Sequence, residues 1–160
     1  MNNSALHALR QAHDTCQAHH DALREALGDL HLRDLTASDL ECLTKNDRRL
    51  LDQFAYRYTR LQDDMGVRLI PAVLLALGEE IAAMPTLDRL DRLEQLGWLP
   101  SAEEWGELRR TRNEFTHDYP ETTKERFERL QLALAAAEKV MMVLELMNQK
   151  IYQRFPEIQA

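Results

Sequence analysis

Between Arg109 and Pro120 the chain sets three arginines, an asparagine, a histidine, an aspartate and a tyrosine within twelve residues. Arg112 is a permanently charged planar fork suited to a phosphate. His117, five positions later, carries an imidazole whose charge switches near neutral pH. Together they are the minimum set for cleaving RNA without a metal. One group moves the proton of the 2′-hydroxyl or of the leaving oxygen, and the other holds the charge that builds on the phosphorus oxygens. Asn113 adds a neutral hydrogen bond to the same anion, and Arg109 a second cationic contact. The plain structural alternative is that an arginine near a helix C-terminus bonds the carbonyls there and a histidine in the last turn caps it.

One helix must position these groups. Ser101 and Glu104 have the spacing of a capping box, so this helix starts at about residue 102. Pro120 biases the residue before it out of the helical region, so the helix stops by Tyr119. Five residues on an ideal helix put Arg112 and His117 about 140° apart around the axis. A regular helix therefore does not make them meet. His117 is expected in a fraying last turn, its ring turned into a cleft and its protonated form favoured by the negative end of the helix dipole.

The rest of the chain reads as helices too. Leu6, Leu9, His13, Cys16, His20, Leu23 and Leu27 recur in steps of three and four, one stripe of a helix closed by Gly28. A short turn follows Ser38, and Asn46 or Asp47 is the expected cap of a long helix with Leu51, Phe54, Tyr58, Leu61, Met65 and Leu69 on its apolar stripe. Gly66 and Pro71 predict a kink near residues 66–71. Arg57, Arg60, Asp63 and Asp64 on the opposite face form a solvated or dimer-facing charge set, with a catalytic Asp64 as the sharper alternative. Leu87, Leu90, Leu93 and Leu96 mark a short helix ended by Gly97. Thr122 or Thr123 then caps a last long helix whose buried stripe runs from Phe127 through Leu130, Leu134, Ala137, Met141 and Leu144 to Ile151. No stretch alternates with period two, so the expected fold is all-α, an up-and-down bundle of about five helices.

His13, Cys16 and His20 at successive turns invite a metal reading, since imidazole and thiolate can converge on one ion. Zinc takes a fourth ligand, and no carboxylate lies near on that face, so a helix seam is the preferred reading and no metal or cofactor is expected.

Composition narrows the class. At 160 residues the chain is about one domain long, with no linker composition and no internal repeat, so residues 1–160 are read as one helical domain. Two unpaired cysteines and an N-terminus bearing His7, Arg10, His13 and Asp14 fit a reduced, cytoplasmic protein without a signal peptide. The longest apolar run, Leu69 to Leu77, is under half a membrane span. A net charge of −7 argues against a broad grip on nucleic acid and leaves room only for a small basic site.

Arg112-Asn113-Glu114-Phe115-Thr116-His117-Asp118-Tyr119 resembles the R-x4-H-x-Y signature of the HepT-like branch of the HEPN superfamily. The stretches from Leu93 to Trp105 and from Phe54 to Asp63 also look like a small bacterial subgroup of it, so the resemblance spans most of residues 45–150. It implies a metal-independent endoribonuclease toxin that works as a homodimer with its two motifs facing one cleft. Arg112 and His117 would cleave RNA to a 2′,3′-cyclic phosphate and a 5′-hydroxyl. A minimal nucleotidyltransferase antitoxin would silence it by transferring AMP to Tyr119. The sequence departs from the pattern in flanking the motif with Glu114 and Asp118 and in placing Pro120 directly after Tyr119. A rival from another class is a non-catalytic helical subunit that docks a nucleotidyltransferase and presents a substrate or nucleotide to it. A structural helical dimer without a ligand is the third.

Overall fold

In the computed structural model, which describes residues 2–117 and 122–159, every regular element is helical and no strand occurs among the described residues. Helix α1 spans Asn3–Arg33. A 3-10 turn at Ser38–Glu41 leads to α2 (Lys45–Asp64), which runs through a π turn (Met65–Leu69) into α3 (Ile70–Ala76). Helices α4 (Thr86–Gln95), α5 (Ala102–His117) and α6 (Thr123–Arg154) follow, and a 3-10 turn at Pro156–Ile158 comes after them. Taking α2, the π turn and α3 as one continuous rod, these form a bundle of five. The expected all-α bundle is the architecture found.

The stripes enter the core largely as their periodicity requires. Leu9, Cys16, Leu23, Phe54, Tyr58, Leu61, Met65 and Leu69 are fully enclosed, and Ala137, Leu144 and Ile151 meet them from α6. Two boundaries differ from expectation. Gly28 does not close α1: buried Leu30 carries the stripe onward, and the helix ends where Asp34 turns left-handed (φ 49°) and donates its N–H to Leu30 O. The cap of α2 is Thr44, not Asn46 or Asp47. Its hydroxyl accepts from Asp47 N at 3.0 Å while Asp47 Oδ2 accepts from Thr44 N at 3.2 Å, a reciprocal capping box. Leu87 also departs from its expected stripe and lies exposed, leaving Leu90 and Leu93 as the buried pair of α4.

Asp47 does a second job. Its buried carboxylate takes Arg33 Nε and Nη2 at 2.8 and 3.2 Å, clamping the end of α1 to the start of α2. The Arg33 guanidinium, helped by the Thr44 bonds, holds the Asp47 carboxyl below its ordinary value of 3.8 against the opposing effect of burial.

The kink expected near residues 66–71 takes a specific form. Pro71 has no N–H, and its ring collides with the carbonyl four residues back in a regular helix. The wide turn just upstream, in which Ile70 N–H donates to Met65 O, moves that carbonyl aside and lets the rod continue.

Removing the cap hydroxyl in Thr44→Ala is expected to cost about 1 kcal/mol, or about 2–4 °C in the thermal midpoint. Because the Asp47 pKa is depressed by folding, the stabilisation is present above the ordinary carboxylate value and is lost as pH falls through the folded one. Asp47→Asn should therefore melt below wild type at pH 7, with the two melting temperatures converging under acid.

Candidate functional site

Helix α5 starts where Ser101 Oγ accepts from Glu104 N at 3.0 Å and Glu94 Oε1 from Ala102 N at 3.0 Å, in line with the boundary read from the sequence. Trp105 and Leu108 bury one face of it. Phe115 reaches α2, its ring 5.9 Å from Phe54 and 5.8 Å from Tyr58 between centroids. With its apolar side so engaged, α5 turns Arg109, Arg110, Asn113 and His117 to solvent. Arg109, Asn113 and His117 are four residues apart in turn and follow one ridge of the helix.

Arg112 lies at the edge of that ridge and is mostly enclosed, its side chain 17% exposed. Nη2 donates to Asp63 Oδ2 at 2.6 Å and Nη1 to Thr116 Oγ1 at 2.9 Å, while Nε finds no partner among the described residues. Asp63, Arg112, Arg109 and Asn113 line a cavity of about 280 Å³ between α2, the π turn, α4 and α5. Gln62, Trp105 and Arg89 line it too. Arg89 is anchored by its own bonds to the carbonyls of Met84 and Ile81.

The structure thus gathers Arg112, Arg109 and Asn113 at one cavity and leaves His117 elsewhere. His117 is the last residue of α5, still helical, exposed and outside the cavity lining, so its ring is not turned into a cleft with Arg112. The separation around the axis that five helical residues impose accounts for this. Tyr119 and Asp118 lie outside the described residues.

The charge set on α2 is solvated in part, with Arg60 exposed and Asp63 half-exposed, and engaged in part. Asp63 serves Arg112, whereas Asp64, with 14% of its side chain exposed, turns to α1. There His19 Nδ1 accepts from Arg57 Nη1 at 3.0 Å, so its proton sits on Nε2, 3.3 Å from Asp64 Oδ2. Burial lowers the His19 pKa, and Arg57 and Arg60 push the same way against Asp64.

The two histidines of the stripe read as a possible metal site, His13 and His20, are spoken for as well. His13 contacts the Tyr152 hydroxyl at 2.7 Å and Asp14 at 2.9 Å, and His20 contacts Glu145 at 3.0 Å and Asp21 at 3.2 Å. Their stripe is a seam against α6, and no cluster of three metal-ligating side chains occurs among the described residues. Burial, with Asp64 in support and Arg68 opposed, pushes the Cys16 thiol up to about 12.

Sequence reasoning passed over Gln62. Its signal was an amide one turn after Tyr58 and three residues before Met65, inside the buried face of α2. No helix among the described residues is long and apolar enough to cross a membrane. Comparison with family models, curated proteins and solved structures finds no match.

With Cys16 buried and Cys42 exposed, the native protein at pH 8 is expected to give one rapid thiol equivalent with a chromogenic disulfide and two after denaturation. Asp63→Ala should lower stability by less than about 1 kcal/mol in thermal melts, because its carboxylate is half exposed. The same variant, with the Arg112 fork released, should bind inorganic phosphate more tightly by calorimetry.

Proposed function

We propose that the chain is a metal-independent endoribonuclease of the HEPN type, a cytoplasmic toxin acting as a homodimer with Arg112 and His117 as its working groups. The observation that carries this reading is the division of labour along α5. Arg112, Arg109 and Asn113 meet at a polar cavity, while His117 stands exposed farther along the same ridge. A phosphodiester held at the arginines of one subunit meets a histidine when a second α5 lies across it.

The chemistry then closes. One imidazole takes the 2′-hydroxyl proton as its oxygen attacks phosphorus, and the P–O5′ bond breaks. The second imidazole, protonated, gives its proton to the departing O5′. The products are a 2′,3′-cyclic phosphate and a 5′-hydroxyl. Charge on the non-bridging oxygens falls to Arg112, helped by Asn113 and Arg109. Two copies also supply two sets of exposed arginines, which offsets the net charge of −7 locally.

The same reading includes silencing by a minimal nucleotidyltransferase that transfers AMP to Tyr119, two residues after His117 in the sequence. A bulky adenylate anion beside a catalytic His117 would repel an RNA phosphate.

One observation favours the rival. Arg112 is already bonded to Asp63 at 2.6 Å, which suits a subunit that presents a nucleotide to a nucleotidyltransferase without cutting RNA.

Purified protein incubated with RNA in EDTA is expected to cut it. His117→Ala and Arg112→Ala should each slow cleavage by about a hundredfold or more. Intact RNA with wild type, or equal cutting by His117→Ala, leaves the presenting-subunit reading. After co-expression with a nucleotidyltransferase of this kind, the mass should rise by one adenylate in wild type and not in Tyr119→Phe.

A further inference from the structure

Tyr58 and Gln62 sit one turn apart on α2, and both are buried, Gln62 at 2% exposure. The Tyr58 hydroxyl, both polar atoms of the Gln62 amide and Arg112 Nε have no hydrogen-bond partner among the described residues. Leaving a buried amide unpaired costs the desolvation of a donor and an acceptor together, and native interiors rarely do so. Gln62 is also a wall residue of the 280 Å³ cavity. One water takes up roughly 30 Å³ of liquid, so this space is far larger than satisfying a single amide requires.

The walls name a ligand class. Three arginines and one carboxylate line the cavity, so it favours an anion. Trp105, Leu90 and Ile70 give it an apolar side suited to a flat ring. Behind this wall the Gln62 amide holds a donor next to an acceptor, both closed off as they stand, and a turn of the side chain about its terminal bonds would bring them to a base edge, the pattern with which they pair.

We propose that this cavity is a nucleobase subsite. The Gln62 amide reads the donor and acceptor edge of one RNA base beside the Trp105 indole, and Arg109 and Arg112 hold the adjoining phosphate. Adenine is the expected base, since its N6 donor and N7 acceptor match an amide's carbonyl and NH2. This deepens the ribonuclease reading and rests on it for the identity of the strand.

Binding to the full chain is measured by calorimetry with the four nucleoside 3′-monophosphates and with ribose 5-phosphate. A parallel series uses 2′-O-methyl homopolymer oligonucleotides, which lack the attacking hydroxyl. Wild type is expected to favour adenosine 3′-monophosphate over ribose 5-phosphate by about tenfold or more, with the same base preferred among the oligonucleotides. Gln62→Met keeps the side chain's length and removes both unpaired atoms. It should melt at or above the wild-type temperature, keep its affinity for ribose 5-phosphate and lose the base preference; Gln62→Leu repeats the test if that variant does not fold.

Equal binding of all ligands by wild type, or a preference that survives Gln62→Met, overturns the proposal and leaves the cavity to water. A preference among monophosphates that is absent among oligonucleotides overturns its assignment to RNA. The two readings fail separately. Base-selective binding without any cleavage sinks the nuclease and keeps the subsite, whereas His117-dependent cleavage with no base preference in binding sinks the subsite alone.

Discussion

The pair between Arg112 and Asp63 is the polar tie between α5 and the rod of α2 and α3. The two helices approach through side chains: Phe115 enters the aromatic pair of Phe54 and Tyr58, and one turn earlier Arg112 reaches Asp63. Between the aromatic contact and the π turn the helices stay apart, and the gap is the cavity. A shorter residue at 112 would lose the tie. An arginine spans the distance with its charge matched at the far end, which leaves its Nε and the neighbouring Gln62 amide as unsatisfied groups inside. The polar character of the cavity follows from how the helices are joined.

The same principle governs the other charged contacts. Asp47 ties α1 to α2, Glu79 receives Arg92 at 2.8 Å to fasten the connection into α4, and Glu145 receives both His20 and Arg24 to bring α6 onto α1. Acidic side chains thus act as receivers at helix junctions. An excess of them, which on composition alone suggests only repulsion from nucleic acid, is partly spent inside the molecule. Arg109 and Arg110 remain exposed on α5.

Much of this was legible in the residues. Steps of three and four predicted α1, the rod of α2 and α6, and steps of three predicted α4, since burying a stripe is what a bundle requires; α5 was read from its capping box and from Pro120. Ser101 and Thr122 announced the starts of α5 and α6, because a cap side chain bonds within its own turn and needs no distant partner. Gly28 misled for the matching reason: a glycine signals an end only when the stripe beyond it fails, and Leu30 continues it. The cavity was less visible. Arg112, Asn113 and Arg109 stood out by type, but Asp63 and Gln62 lie some fifty residues earlier in the chain, and their meeting with α5 depends on how two rods cross. Local pattern carries no information about that crossing. His117 kept the place that helical geometry assigns it, and so stands apart from Arg112 within one chain.

The π turn has a consequence for how this chain can change. A wide turn of this kind is one residue more than a regular helix needs over the same rise. Deleting a residue between Met65 and Leu69 would close the wide turn to a regular one with the two flanking halves still in phase, so Tyr58, Gln62 and Asp63 would keep their faces. It would also return a carbonyl to the Pro71 ring, the collision that the wide turn relieves. The extra residue and the proline therefore belong together, and losing both would leave a plain helix with the same faces turned to α1 and α5.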